Sequence, residues 1–143
     1  MINIDDLITQ ATLESNKSKK EAYRAIKADM LLLKTDKNHK GEITEAEFVK
    51  ILRKLINQLS ESISMYLEND RRDLAIEYIQ QKMYIEELLP PEISEDKIEE
   101  AVVTAYPNGY TQKEMGKVIK EIKAIFPTAD GKIIAQIVKS HIQ

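Results

Sequence analysis

The stretch Asp36 to Glu47 reads DKNHKGEITEAE and sets oxygen donors where an EF-hand calcium loop needs them. Asp36 stands first, Asn38 third and Glu47 twelfth, with Gly41 at the sixth position and Ile43 at the eighth. Calcium takes six to eight oxygens, which such a loop collects from positions one, three, five, seven, nine and twelve. Here the fifth position is Lys40. An ammonium group has no lone pair and repels a divalent cation, so the residue both removes a ligand and opposes the metal. No second loop of this kind follows for it to pair with. Each matching residue also has a metal-free use. Thr44 with Glu47 makes a capping box for the next helix, and Asn38 with Gly41 is ordinary turn chemistry. A calcium-binding EF-hand-like protein is therefore the weakest reading, and no metal site is expected.

Other chemistry is sparse. The only histidines are His39 and His141, and there is no cysteine. That excludes a disulfide framework, thiolate ligands and cysteine catalysis. No G-x-S-x-G elbow, glycine-rich phosphate loop or Glu-x-x-His pair occurs, and nucleophilic, nucleotide and di-iron chemistry each need one of these. Adjacent acids such as Glu86–Glu87 and Glu99–Glu100 read as solvated helix faces. No catalytic residue and no cofactor is expected, and the chain is not expected to act as an enzyme by itself.

The basic residues are better organised. From Thr111 onward there are six lysines against three acids. Lys113, Lys117 and Lys120 fall on one helical stripe, with Lys123 beside it and Gly116 at its edge. An interior glycine costs about 1 kcal/mol relative to alanine, which suggests that something approaches the backbone there. In the segment ADGK, Asp130 caps a helix whose first turn holds Gly131 and Lys132, and helix N-termini offer free N–H groups to anions such as phosphate. The plainer alternative is a solvated lysine face, with glycine used for helix packing.

The elements that would carry these residues are helices almost throughout. Ile4, Leu7, Ile8 and Ala11 predict a short first helix. Ser18 with Glu21 predicts the cap of a second, lined by Tyr23, Ile26, Met30 and Leu33. Phe48 to Leu67 keeps one long apolar stripe, which needs a partner helix. A fourth helix follows ENDRRD and carries Leu74, Tyr78, Met83, Ile85, Leu88 and Leu89. The segment LPPE ends it, because two prolines forbid helical continuation. Ser94 then caps a fifth helix, with Ile98, Ala101, Val102 and Ala105 inward. Thr111 with Glu114 caps a sixth, along which Met115, Val118, Ile119, Ile122, Ile125 and Phe126 follow. Asp130 or Thr128 caps the seventh. The expected fold is all-α: an N-terminal hairpin or bundle of about four helices over 1–90, then a small three-helix domain over 91–143.

Composition agrees. The 143 residues are 43% hydrophobic and 31% charged, with only four glycines and four prolines, a helix-rich globular profile. A net charge of −3 is too mild to declare a nucleic-acid or membrane partner. The N-terminus MINIDDLITQ lacks the basic and apolar regions of a secretory signal. No apolar stretch approaches bilayer-spanning length. A cytoplasmic protein without a membrane partner is expected.

Taken in order, these segments resemble the GatB/YqeY family. The resemblance rests on KEMGKVIKEIKAIFPTADGKIIAQIVK at the C-terminal end, on YRAIKADM in the second helix, and on ENDRRDLAIEYIQQKMYIEELLPPEISEDKI between. It covers nearly the whole chain. It implies an all-α protein whose C-terminal part is like the tail domain of GatB, a subunit of the glutamine-dependent amidotransferase acting on mischarged tRNA. Family members are associated with carbon–nitrogen ligase activity using glutamine as amide donor, but the chain has neither GatB's ATP-dependent domain nor an amidase Ser-Ser-Lys set. The resemblance thus implies a non-catalytic module associated with tRNA or with tRNA-dependent amidotransfer, its partners being tRNA or an amidotransferase or aminoacyl-tRNA-related protein. The RNA- or partner-binding residues it points to, with the lysine stripe, are Lys113, Met115, Gly116, Lys117, Lys120, Asp130, Gly131 and Lys132. Pro127 and Thr128 stand where family members carry a glycine and a basic residue. A helical protein-interaction adaptor without RNA binding is the alternative.

Overall fold

Asn3 starts the first helix, its side-chain oxygen accepting from the N–H groups of Asp5 and Asp6. The computed structural model describes residues 2–143. The helices are α1 (Ile4–Leu13), α2 (Lys17–Lys34), α3 (Glu45–Glu68), α4 (Arg72–Glu86), α5 (Glu95–Ala105), α6 (Met115–Ile125) and α7 (Gly131–Ser140), with a 3₁₀ turn at Gln112–Glu114 leading into α6. Among the described residues there is no strand, only an isolated parallel bridge between Tyr110 and Ile142. The fold is all-α. None of these helices is long and apolar enough to cross a membrane. The chain divides into two compact units, Met1–Leu89 and Pro90–Gln143.

In the N-terminal unit, two tight turns set the helix hairpins. The turn from α1 to α2 passes through Ser15 in the left-handed region, and that from α3 to α4 through Asp70. Each turn is closed by an N–H reaching back five residues, Asn16 to the Ala11 carbonyl and Arg71 to the Tyr66 carbonyl, as helix C-termini commonly end. The second helix starts earlier than the sequence suggests. Asn16, not Ser18, is its cap, accepting from the Lys19 N–H at 3.1 Å. Once Ser15 turns the chain, Asn16 is the first residue in reach of the orphan donors. Ser18 instead bonds Gln80 of α4.

The stripe of α3 finds its partner in the antiparallel α4 and in α2. Tyr23 and Ile26 of α2, Phe48, Leu52 and Leu55 of α3, and Ile85 of α4 form the buried centre, with Ile4 and Ala11 of α1 on it. One position of the α3 stripe differs: Leu67 is exposed at its far end. Met83 is exposed too, about half a turn round α4 from the buried Ile85.

In the C-terminal unit, α5, α6 and α7 converge on Ile98, Val102, Val118, Ile122, Ile134 and Val138. Ala105, expected inward, is exposed at the last turn of α5, and Ile125 is exposed at the last turn of α6. The turn after α5 brings Gly109 to φ +81, a conformation that favours glycine. Tyr110 then buries its ring and donates its hydroxyl to the Val138 carbonyl at 2.5 Å. The Gln143 N–H bonds the Tyr110 carbonyl at 3.0 Å, so the end of α7 is stitched to this turn.

Candidate nucleic-acid interface

Two local devices place the lysine surface. Ahead of α6, the Glu114 carboxylate accepts from the Thr111 N–H at 3.1 Å, which holds the 3₁₀ turn and its exposed Lys113. At α7, the Asp130 carboxylate accepts from the Lys132 N–H at 2.9 Å. Between them, Val118 and Ile122 are buried completely, which turns Lys117, Lys120 and Lys123 outward. All of these lysines, with Lys132, are exposed.

The residues singled out in the sequence do not all serve alike. Lys113 and Lys120 of the stripe, and Lys132 of α7, meet no carboxylate among the described residues. Lys117 is partly compensated by Glu121 one turn on, at 4.0 Å. Met115 packs half-buried against the core of the unit, so its part is support for the surface. At Gly116 an added methyl group would meet nothing within 4 Å. Among the described residues nothing outside its own helix backbone crowds that position, and glycine is not used there for helix packing. At Gly131 the one near group is the Lys123 ammonium, 3.9 Å from where a methyl would sit. Lys123 therefore joins the α6 stripe to the start of α7.

The start of α7 is not the open anion cradle that ADGK suggests. Asp130 already occupies the Lys132 N–H and sets a negative charge where a phosphate would come. The helix dipole favours that carboxylate for the same reason that it would favour a phosphate. One of its backbone donors is thus taken, and this end presents the cationic side chains of Lys132 and Lys123 beside it.

One constellation escaped the sequence reading. The Tyr106 hydroxyl donates to the Glu121 carboxylate, and Tyr106 stacks edge-on against Tyr110 with ring centroids 5.4 Å apart. The hydrogen bond to Glu121, followed by desolvation, pushes the Tyr106 phenol up to about 12. Glu121 thus sits between Lys117 and Tyr106 at the edge of the lysine stripe. The Lys117–Glu121 spacing is visible in the sequence; the Tyr106 contact depends on how the turn after α5 folds back.

Charge is divided within the unit. From Glu92 to Glu100 there are five acids and one lysine, whereas the lysine excess begins at Thr111.

The ends of the calcium-like loop are engaged in protein contacts. Asp36 accepts from the Asn38 N–H at 2.8 Å. Glu47 accepts from the Thr44 N–H at 2.9 Å and lies 2.9 Å from His39 Nε2. The Thr44 N–H, and after it His39, holds the Glu47 carboxyl below its usual range. The Thr44–Glu47 capping box of α3 is complete. Among the described residues no group of three or more His, Cys, Asp or Glu side chains is arranged to hold a metal ion.

A protein-family model described as Yqey-like protein matches residues 2–142. No curated protein matches the sequence.

Proposed function

Since the chain belongs to the family of YqeY-like proteins, we propose that it is a non-catalytic module whose C-terminal unit engages tRNA, or the tRNA-dependent amidotransfer machinery around it, in the cytoplasm. The observation that carries this reading is the exposed lysine surface running from Lys113 along Lys120 and Lys123 to Lys132. These four cations are not consumed by carboxylates, and they lie on the face turned away from the core. The adjoining Gly116 backbone is open to a close approach. A lysine-rich surface, with Glu114, Glu121 and Asp130 at its edges and no enclosed reactive group, suits phosphate contact better than catalysis.

Binding of a tRNA transcript to the whole protein tests it. Each phosphate contact contributes about −0.7 to −0.9 to the slope of log K against log salt, so four contacts give roughly −3 to −3.5, or about 50- to 150-fold weaker binding between about 50 and 200 mM salt. Lys120→Glu with Lys132→Glu should remove most of the affinity and flatten the slope by about two contacts' worth. No measurable binding of the unaltered protein at the lower salt sinks the proposal. A stoichiometric protein partner recovered without RNA would favour the adaptor reading instead.

A further inference from the structure

A second surface, in the N-terminal unit, carries an inference of a different kind. Helices α1 and α2 leave between them a groove of about 580 Å³, whose lining includes Ile8, Leu13, Lys20, Arg24, Ala28 and Leu31. Leu13 is 80% exposed and Leu31 is 52% exposed. Both leucines are left uncovered, one at each end of the groove. The groove runs from Leu13, beside the α1–α2 turn, past Lys20 and Arg24 on successive turns of α2, to Leu31.

Its chemistry is one-sided. No acid lines it. Of the acids close by, Asp5 is held by Lys27 at 2.6 Å and Glu14 by Lys19 at 3.2 Å. That leaves Lys20 and Arg24 with no carboxylate partner among the described residues. The two threonines of the α1 wall do not offer their hydroxyl protons, since Thr9 donates to the Asp5 carbonyl and Thr12 to the Ile8 carbonyl. The groove thus combines apolar ends, a wall without free donors and an uncompensated cationic middle, on a chain whose net charge is −3.

We propose that this groove binds a partner protein's amphipathic helix that carries acidic residues beside an apolar stripe. Leucine-type side chains at helical spacing would cover Leu13, Ile8 and Leu31, as helix-in-groove recognition requires. Carboxylates flanking them would pair with Arg24 and Lys20, Arg24 having the planar fork that favours carboxylates. A nucleic-acid strand would satisfy the cations but would leave the leucines wet, so the combination favours a protein helix. The proposal stands apart from the lysine surface of the C-terminal unit.

The probe is a synthetic helical peptide of about 16 residues, with leucines at i, i+4, i+7 and i+11 and glutamates beside them. A scrambled peptide of the same composition and a lysine-flanked version serve as controls. Binding to the whole protein is read by fluorescence anisotropy and by amide chemical-shift mapping. The glutamate peptide is expected to bind at least tenfold tighter than the scramble, with shifts confined to α1 and α2. Arg24→Glu and Leu31→Ser should each weaken it five- to tenfold, and R24E should gain affinity for the lysine-flanked peptide. That gain distinguishes lost contact from lost folding. Equal binding of glutamate and scrambled peptides overturns the proposal, as do shifts mapping elsewhere. So does tRNA shifting these same amides in a way that R24E abolishes and L31S does not. A concentration-dependent dimer in sedimentation that L31S breaks would identify a second copy as the occupant, which also overturns it.

Discussion

Gly116 offers the sharpest separation of stability from function. It is the second residue of α6, and an added Cβ there meets, among the described residues, no atom within 4 Å outside its neighbours and its own helix backbone. It does not adopt a positive φ, unlike Gly41 and Gly109. Alanine therefore enters without strain or clash. Replacing a helical glycine by alanine contributes about 0.5–1 kcal/mol, largely by restricting the unfolded chain. For a small domain each kcal/mol moves the melting temperature by about 4–8 °C, so Gly116→Ala should raise it by roughly 2–8 °C. The assay is thermal unfolding followed by circular dichroism, beside tRNA binding at low salt. If RNA approaches the α6 backbone at this glycine, the same variant should bind at least several-fold more weakly while melting later. A lower melting temperature would refute the open-space argument. A higher one with unchanged tRNA affinity would refute the claim that the contact surface includes Gly116.

Two further outcomes follow from the titrating groups. Glu47 is held below the usual carboxylate range, so its contribution to stability is fully present above the unfolded value of about 4.3 and is lost as pH falls through the lower folded value. Amide exchange in the first turn of α3 should rise over that acid range, and Glu47→Gln should remove the pH dependence from that turn; an unchanged profile would argue that the carboxylate does not cap. Tyr106 should ionise near pH 12 in an ultraviolet titration, against about 10 for an ordinary tyrosine. Its folded value is the raised one, so the contribution of the Tyr106–Glu121 bond is present below pH 10 and lost between about 10 and 12. Glu121→Gln should bring the phenol back toward 10, and no movement would exclude the hydrogen bond as the cause.

What could be read from the sequence was mostly local. Thr44 with Glu47 and Ser94 with the Lys97 N–H are contacts within one helical turn, and both helices start where those residues stand. Asn16 displaced Ser18 because the deciding event is the left-handed turn at Ser15, a conformation that no residue type there announces. Leu67 and Ile125 follow the helical period yet are exposed. Periodicity tells which face is apolar, but the length of the covering helix decides how far that face is buried. At the candidate interface the lysine stripe was legible as spacing. The closeness of Lys123 to Gly131 needed α6 and α7 packed together, and Tyr106 reaching Glu121 needed the turn after α5. The helix start at Gly131 shows the opposite error: the backbone donors were anticipated, but the capping carboxylate that occupies one of them was not given its weight.

The division of charge in the C-terminal unit has a consequence before any contact forms. The acids exposed on α5 and the lysines exposed on α6 are carried by helices whose polar faces look away from a shared core. The unit therefore behaves as an electric dipole. In the field of a polyanion it experiences a torque within a screening length of about 8 Å at physiological salt, and approaches with the α5 side turned outward. Orientation, not net attraction, is what this arrangement supplies. In the proposed encounter with tRNA, exchanging one α5 glutamate with one α6 lysine would keep the net charge and should slow association.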